Sequence, residues 1–287
     1  MTEQPPLDAE LLRSWIGRTT SARDIVTPRL AEELRVTLDR DKPPFREGER
    51  CPLALHWCLA PPMVPQSRLG PDGHPARGDF LPPVPLPRRM WAAGRLEFFD
   101  CLRVGDTVER HSKIADVNVK QGRSGRLCFV AVDHEISTPR GLALKERHAI
   151  VYRDAPSANP AQQAAPAPGE PAREAQWSEV KAADPVMLFR YSALTFNGHR
   201  IHYDWRYVTE VENYPGLIVH GPLQATLLIE FAAAIRSADP RVFSFRALNP
   251  LFDGQEFTLN AAESNGALDL WITGPAGRTT MTGRAEW

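Results

Sequence analysis

Pro222-Leu-Gln-Ala-Thr-Leu-Leu-Ile-Glu-Phe-Ala-Ala-Ala-Ile-Arg236 is the stretch on which the architecture turns. Proline opens it where a helix needs no donor, and leucine and alanine carry it forward. Leu223, Ala225, Leu227, Leu228, Ile229, Phe231, Ala232, Ala233, Ala234 and Ile235 leave almost no polar face. A helix that is apolar all round has to be enclosed. Strand-like segments follow it, broken at Asn265-Gly266 and at Gly274 to Gly277, and a sheet wrapped around the helix would supply the enclosure.

Outward from this helix, Asp184-Pro185 starts a shorter one. Nearer the N-terminus, Asp8 caps a stretch whose Leu11, Leu12, Trp15 and Ile16 share a face before Gly17. Thr27-Pro28 starts another, with Leu30, Leu34 and Leu38 at four-residue spacing. From Trp91 onward the pattern alternates, as in Val117/Val119 and Cys128/Val130/Val132, with turns at Gly122 to Gly125 and Thr138 to Gly141. This reads as an antiparallel meander. Leu102-Arg-Val-Gly-Asp-Thr-Val108 also echoes Leu251-Phe-Asp-Gly-Gln-Glu-Phe257 in spacing, so the chain reads as two copies of one fold. One sheet around one buried helix is the hot-dog arrangement; two copies predict an α+β double hot-dog with a continuous sheet.

Proline marks where the copies differ. Of the 27 prolines, 12 lie between Pro43 and Pro87 and 5 between Pro156 and Pro171. The second group sits in a polar stretch, 156–176, that reads as a linker between an N-terminal half, 1–155, and a C-terminal half, 177–287. The first group lies between a strand-like Leu53 to Leu59 and the strand from Trp91, where a second central helix belongs. Each interior proline costs a helix about 3 kcal/mol, so that half is expected to lack the helix and to leave space for a ligand. Met63, Val64, Phe80, Leu81, Val84, Leu86, Met90 and Trp91 make a solvated loop costly there.

A balance of 34 basic against 35 acidic residues in 287 leaves no field of one sign for nucleic acid or an anionic membrane. Hydrophobic content of 43% excludes a disordered chain. No apolar run reaches the roughly 18 residues of a membrane span, and the first residues lack a signal peptide's basic and apolar regions. Cys51, Cys58, Cys101 and Cys128 form no C-x-x-C pair, and their neighbours read as strand. Buried thiols in a soluble cytoplasmic protein are expected.

Polar side chains with catalytic potential concentrate in Tyr191-Ser-Ala-Leu-Thr-Phe-Asn-Gly-His-Arg-Ile-His-Tyr-Asp204. Asn197 and His202 are five apart and share a face on neither helix nor strand. A turn at Gly198 could converge both on one small molecule; a solvated loop is the plain alternative. In Leu217-Ile-Val-His-Gly-Pro-Leu223, an apolar strand runs into the buried helix. That places amides near Gly221 at its positive end, where an oxyanion could be stabilised; an ordinary strand-to-helix turn is the alternative. No metal or redox cofactor is expected, because no ligand set has metal spacing and no dinucleotide fingerprint follows a strand.

Asn197-Gly-His-Arg-Ile-His202 followed by Ile218-Val-His-Gly221 resembles the MaoC-like hydratase 2 family, whose motif is Ser-Gly-Asp-x-Asn-Pro-Leu-His with a downstream Ile-Val-His-Gly. Met90-Trp-Ala-Ala-Gly-Arg-Leu-Glu-Phe98 and Leu102 to Asp106 resemble the non-catalytic half of its two-hot-dog members. The similarity is to the FAS1-like dehydratase branch, which includes mitochondrial 3-hydroxyacyl-thioester dehydratases and bacterial mesaconyl-C4-CoA and itaconyl-CoA hydratases. The resemblance implies addition of water to a 2-enoyl thioester, or the reverse, on an acyl-CoA. It implies His202 as the catalytic histidine, Gly221 as the amide donor to the thioester carbonyl and Asn197 in place of the catalytic aspartate. An amide cannot exchange a proton near neutral pH, so Asn197 is expected to orient water. His199 and Arg200 replace an asparagine and a proline. Arg200 is a candidate partner for a substrate carboxylate, with a structural salt bridge as the equal alternative; His199, Tyr203 and Trp91 stand beside it, and Arg88 and Arg89 are candidates for the CoA phosphates or simply paired surface arginines. A homodimer is expected only by resemblance. The rival readings are a carrier-protein dehydratase, a hot-dog thioesterase and a non-catalytic acyl-thioester binder.

Overall fold

The computed structural model describes residues 7–122, 125–154 and 173–287. Its framework is one antiparallel sheet. The strands are β1 (Thr19–Ile25), β2 (Arg88–Phe98), β3 (Thr107–Gly122), β4 (Gly125–Thr138), β5 (Gly141–Arg153), β6 (Trp177–Ala182), β7 (Val242–Ala247), β8 (Glu256–Ser264), β9 (Ala267–Thr273) and β10 (Thr279–Glu286). They lie in the order β1-β3-β4-β5-β2-β7-β10-β9-β8-β6. Shifting each strand number of the first half by five turns that order into its own mirror image. The halves therefore meet at β2 and β7, with Ala93 opposite Arg246 and Glu97 opposite Val242.

Among the described residues four α-helices accompany the sheet: α1 (Ala9–Arg13), α2 (Pro28–Thr37), α3 (Pro185–Leu194) and α4 (Gly221–Arg236). α2 and α3 begin alike, with proline in the first turn and a side-chain oxygen of Thr27 or Asp184 accepting from Leu30 or Met187 N–H. α4 lies across β7–β10. Leu223, Ala225, Leu228, Ile229 and Ala232 are essentially fully buried among Phe243, Leu259, Leu270 and Met281. Ser237, at φ 51°, ends it in a left-handed cap.

The sequence echo is a structural repeat. Gly105 and Gly254 both have positive φ, and their N–H groups donate to Val26 and Ala183 O at 2.8 and 2.9 Å. Cys51 N–H bonds Leu102 O at 2.9 Å as Val219 N–H bonds Leu251 O at 2.8 Å. By this correspondence the chain after Cys51 occupies the place where α4 begins. There it makes only the 3-10 turn Leu55–Cys58 before Ala60, at φ 50°, leads into Pro61-Pro62. Leu53 to Leu59 is thus the stub of a central helix, not the expected strand. Among the described residues no α-helix crosses 65–85, where a second short turn, Gln66–Arg68, is the only helical piece. That segment is packed all the same: Val84 and Leu86 are buried with Leu12, Ile114, Val130 and Tyr152. Arg77 laces its end by donating to Val84 and Pro87 O at 2.6 and 3.0 Å. Met63, at 78% exposed, is solvated after all.

Three further expectations change. β1 and β6 occupy polar stretches with no alternation to announce them; α1 ends at Arg13, short of Gly17. Of the cysteines only Cys128 lies on a strand. Cys58 and Cys128 are buried and Cys51 and Cys101 half-buried. Burial pushes the Cys58 thiol up to about 12 and that of Cys128 to about 11, which leaves both protonated and inert. Most of the expected linker falls on 155–172, outside the described residues. No helix among the described residues is long and apolar enough to cross a membrane.

Candidate active site

The candidate catalytic loop is built from the end of α3. Phe196 takes a left-handed conformation, φ 50°, and the chain folds back so that Asn197 N–H donates to Ser192 O at 2.8 Å. Asn197 Oδ1 accepts from His199 N–H at 3.1 Å. With its oxygen engaged in this turn, its amino group is the donor it can offer a ligand. A 3-10 turn, Arg200–His202, then buries His202.

His202 Nδ1 donates to Ile218 O at 2.7 Å. A carbonyl can only accept, so the bond fixes the tautomer and leaves the lone pair on Nε2. Burial pushes the His202 pKa down to about 4, against the Ile218 bond and with help from His74. At neutral pH this imidazole is an uncharged base. His220 stacks on it and its own Nε2 shares a hydrogen bond with Ser192 Oγ at 2.8 Å. His220 is also the N-cap of α4, so Gly221 is its first helical residue and has no partner within the helix for its N–H. A Cβ at Gly221 would lie 3.8 Å from Trp91 O, which places the helix start beside β2 of the other half.

The remaining predicted residues divide. His199 lies beside His202, ring centroids 5.4 Å apart, and burial pushes its pKa well down. Tyr203 donates to Gly198 O at 2.9 Å and braces the loop. Arg200 is paired with Asp204, Nη2 to Oδ2 2.8 Å, donates to Pro71 O at 3.0 Å and lies over Tyr207. Arg88 is paired with Glu212 at 3.2 Å and donates to Tyr214 Oη at 3.3 Å. Arg89 has no ion-pair partner among the described residues and lines the cleft with Trp91. Asn197, His199, His202, Gly221, Arg89 and Trp91 all border this one cleft, about 2390 Å³ in volume.

Sequence reasoning missed Asp72 and His74. Their segment docks on the catalytic loop: Arg200 N–H donates to Asp72 O at 2.9 Å. A Cβ on Gly73, itself at φ 86°, would stand 1.9 Å from Gly198 O. His74 Nδ1 lies 3.3 Å from Asp72 Oδ2, and its ring centroid is 4.1 Å from that of His199. Burial pushes His74 down to about 4 despite Asp72. Burial opposes ionisation of Asp72, yet bonds from His74 bring it to about 2. Asp72, His74 and His199 offer ligand atoms within 4.8 Å of one another. The Arg89 charge, which lowers both imidazoles further, opposes a cation there. Asp72-Gly-His74 is a turn dipeptide with a histidine attached, a signal hidden among the prolines.

Fold and site together define a double hot-dog protein with a buried, stacked histidine pair, His202 on His220, at the start of its central helix. Residues 54–253 match the hydroxyacyl-thioester dehydratase type 2 family, and the chain belongs to it. It is 42% identical to the mesaconyl-C(4)-CoA hydratase of Chloroflexus aurantiacus over 95% of this chain and 96% of that protein. It is 30% identical to the mitochondrial hydroxyacyl-thioester dehydratase type 2 of Schizosaccharomyces pombe over 76% and 78%. Solved structures share the fold. They include a MaoC-like dehydratase from Phytophthora capsici, with TM-score 0.68, 16% identity and coverage of 98% and 99%. A Mycobacterium tuberculosis protein described as a double hotdog fold has TM-score 0.57 and 14% identity, with coverage of 94% and 95%.

Proposed function

We propose that the protein adds water reversibly across the α,β double bond of a short acyl-CoA thioester. The Asn197 amino group donates to the water oxygen and His202 Nε2 accepts its proton. As oxygen bonds to Cβ, the π electrons move toward the thioester oxygen, where Gly221 N–H and the positive end of α4 receive the charge. His202 then returns the proton to Cα, so one base serves both steps and no net charge enters the site. The observation that carries this reading is the Nδ1 bond to Ile218, which leaves a lone pair on a neutral, buried imidazole. Hydration of mesaconyl-C4-CoA, itaconyl-CoA and crotonyl-CoA by wild type and by His202→Ala tests it. Loss of about 10²-fold or more in the variant is expected; retained activity sinks the mechanism.

The acyl group favoured is a short dicarboxylyl, as in the relative's mesaconyl-C4-CoA. In that thioester the free carboxylate sits on the carbon that receives water, so its partner must lie near His202. Arg89 and Arg200 both border the cleft; Arg89 fits because it has no ion-pair partner among the described residues and its charge reaches His74 and His199. Arg200, committed to Asp204, fits better as a brace of the loop. A thioesterase would release free thiol from the same substrates, and a non-catalytic binder would bind them without turnover.

A further inference from the structure

The room left by the missing helix is floored by the protein's own side chains. Trp57, on the stub, meets Trp91 edge to face at 5.2 Å. Beneath Trp91 lies the ring of His148 at 4.0 Å, and His134 follows at 4.4 Å. Glu146 keys the column from within. Its Oε1 accepts from Trp57 Nε1 at 2.8 Å and lies 2.7 Å from His148 Nε2, and its Oε2 is 3.4 Å from His56 Nε2. Ser112 Oγ holds His134 Nδ1 at 2.7 Å. Glu146 and His56 are buried, yet all these residues except Ser112 border the cleft that holds His202. Trp91 joins the two regions, because its backbone oxygen stands beside Gly221 while its ring covers His148.

A thioester carbonyl on Gly221 N–H therefore starts its acyl chain at Trp91. Beyond Trp91 it meets imidazoles, a carboxylate and two nitrogens without partners, His134 Nε2 and Arg110 Nε. An alkyl chain pressed there would lie against polar side chains that it cannot bond, and would take from the half-buried His134 and His148 the contact with water that remains to them. We propose that Trp57, Trp91 and the Glu146-centred imidazole column form a floor that limits the acyl group to a short one and rejects long alkyl chains. The inference rests on the acyl-thioester reading above.

The test is kcat/KM for crotonyl-, 2-hexenoyl- and 2-decenoyl-CoA in wild type, Trp57→Ala and His134→Leu, with melting curves for each. Wild type should lose about 100-fold or more from the four-carbon to the ten-carbon substrate, and either variant that melts near wild type should raise the decenoyl-to-crotonyl ratio about ten-fold. Wild-type enzyme that hydrates decenoyl-CoA as well as crotonyl-CoA overturns the floor. So does an unchanged ratio in a folded variant. No hydration of any enoyl-CoA by wild type overturns the acyl-thioester reading itself.

Discussion

The imidazole of His202 lies face to face with that of His220, ring centroids 3.6 Å apart and planes 19° from parallel. Among the described residues no carboxylate hydrogen-bonds to either ring; their polar partners there are a carbonyl and a hydroxyl. The proposed base is thus supported by a carbonyl in place of a carboxylate. Its basicity is set by burial first, then by the Ile218 carbonyl and the nearby His74, and in the proposed mechanism the imidazolium formed is a strong acid ready to give its proton back.

The pH–rate profile follows. His202 must be neutral to accept the proton of water, and its pKa is near about 4. The kcat/KM for hydration should stay level from neutral pH down to about 5 and fall only below it. An acid limb at the ordinary histidine value, about 6.5, would show that a carboxylate reaches His202 in solution.

Stability carries the opposite face of the same shifts. His74, His134, His199, His202 and His220 all have lowered pKa values. Between about 6.5 and about 4 the unfolded chain binds more protons than the folded one, so stability grows with pH there. It is fully present above the unfolded value and lost as pH falls through that window. Melting temperatures at pH 7.5 and 5.5 should differ, the lower pH giving the lower value; equal values contradict buried neutral imidazoles.

In the proposed mechanism Asn197 holds water through its amino group, a donor that neither an ionised aspartate nor leucine can offer, so Asn197→Asp and Asn197→Leu should both lose about 10²-fold. Unchanged turnover in Asn197→Asp would show that the amino donor is dispensable.

Gly73→Ala places a methyl group against the Gly198 carbonyl at a backbone angle that also disfavours alanine. The docking of the two loops should loosen and kcat/KM fall by about ten-fold or more as His199 and Asn197 drift. The melting temperature should change little, because neither apolar core includes this loop. Full activity in the variant would show that the docking is dispensable.

Arg89→Ala should erase any preference for mesaconyl-C4-CoA over crotonyl-CoA and leave crotonyl-CoA hydration nearly intact. Arg200→Ala should lower both rates together, since it unties the loop from Asp204 and Pro71. If preference is lost in Arg200→Ala instead, the two arginines exchange roles.

Much of this was legible because single residues carried it. Pro222 and the apolar run behind it determined the central helix; Gly105 and Gly254 marked the repeat; Pro61 and Pro62 ended its counterpart. The catalytic loop stood out through Asn197 and His202. What stayed hidden depends on contacts far along the chain. β1 and β6, at the two ends of the sheet order, carry polar residues that no alternation announces. Asp72 and His74 reach His199 only after more than a hundred residues have folded between them. Arg200 read equally as a substrate partner and as half of a structural ion pair, and only the fold shows the pair, with Asp204 one helical turn on.

The mirror order of the strands has a consequence for how such a chain changes over time. In a symmetric dimer of single hot-dog units, every substitution appears twice, so no position can serve two ends at once. Here each half mutates alone. One copy could shed its helix and become floor and wall, while the other kept a helix start, a stacked base and a single reaction centre per chain. Titration with a non-reactive acyl-CoA should accordingly saturate at one equivalent per polypeptide, the signature of a pair that has ceased to be identical.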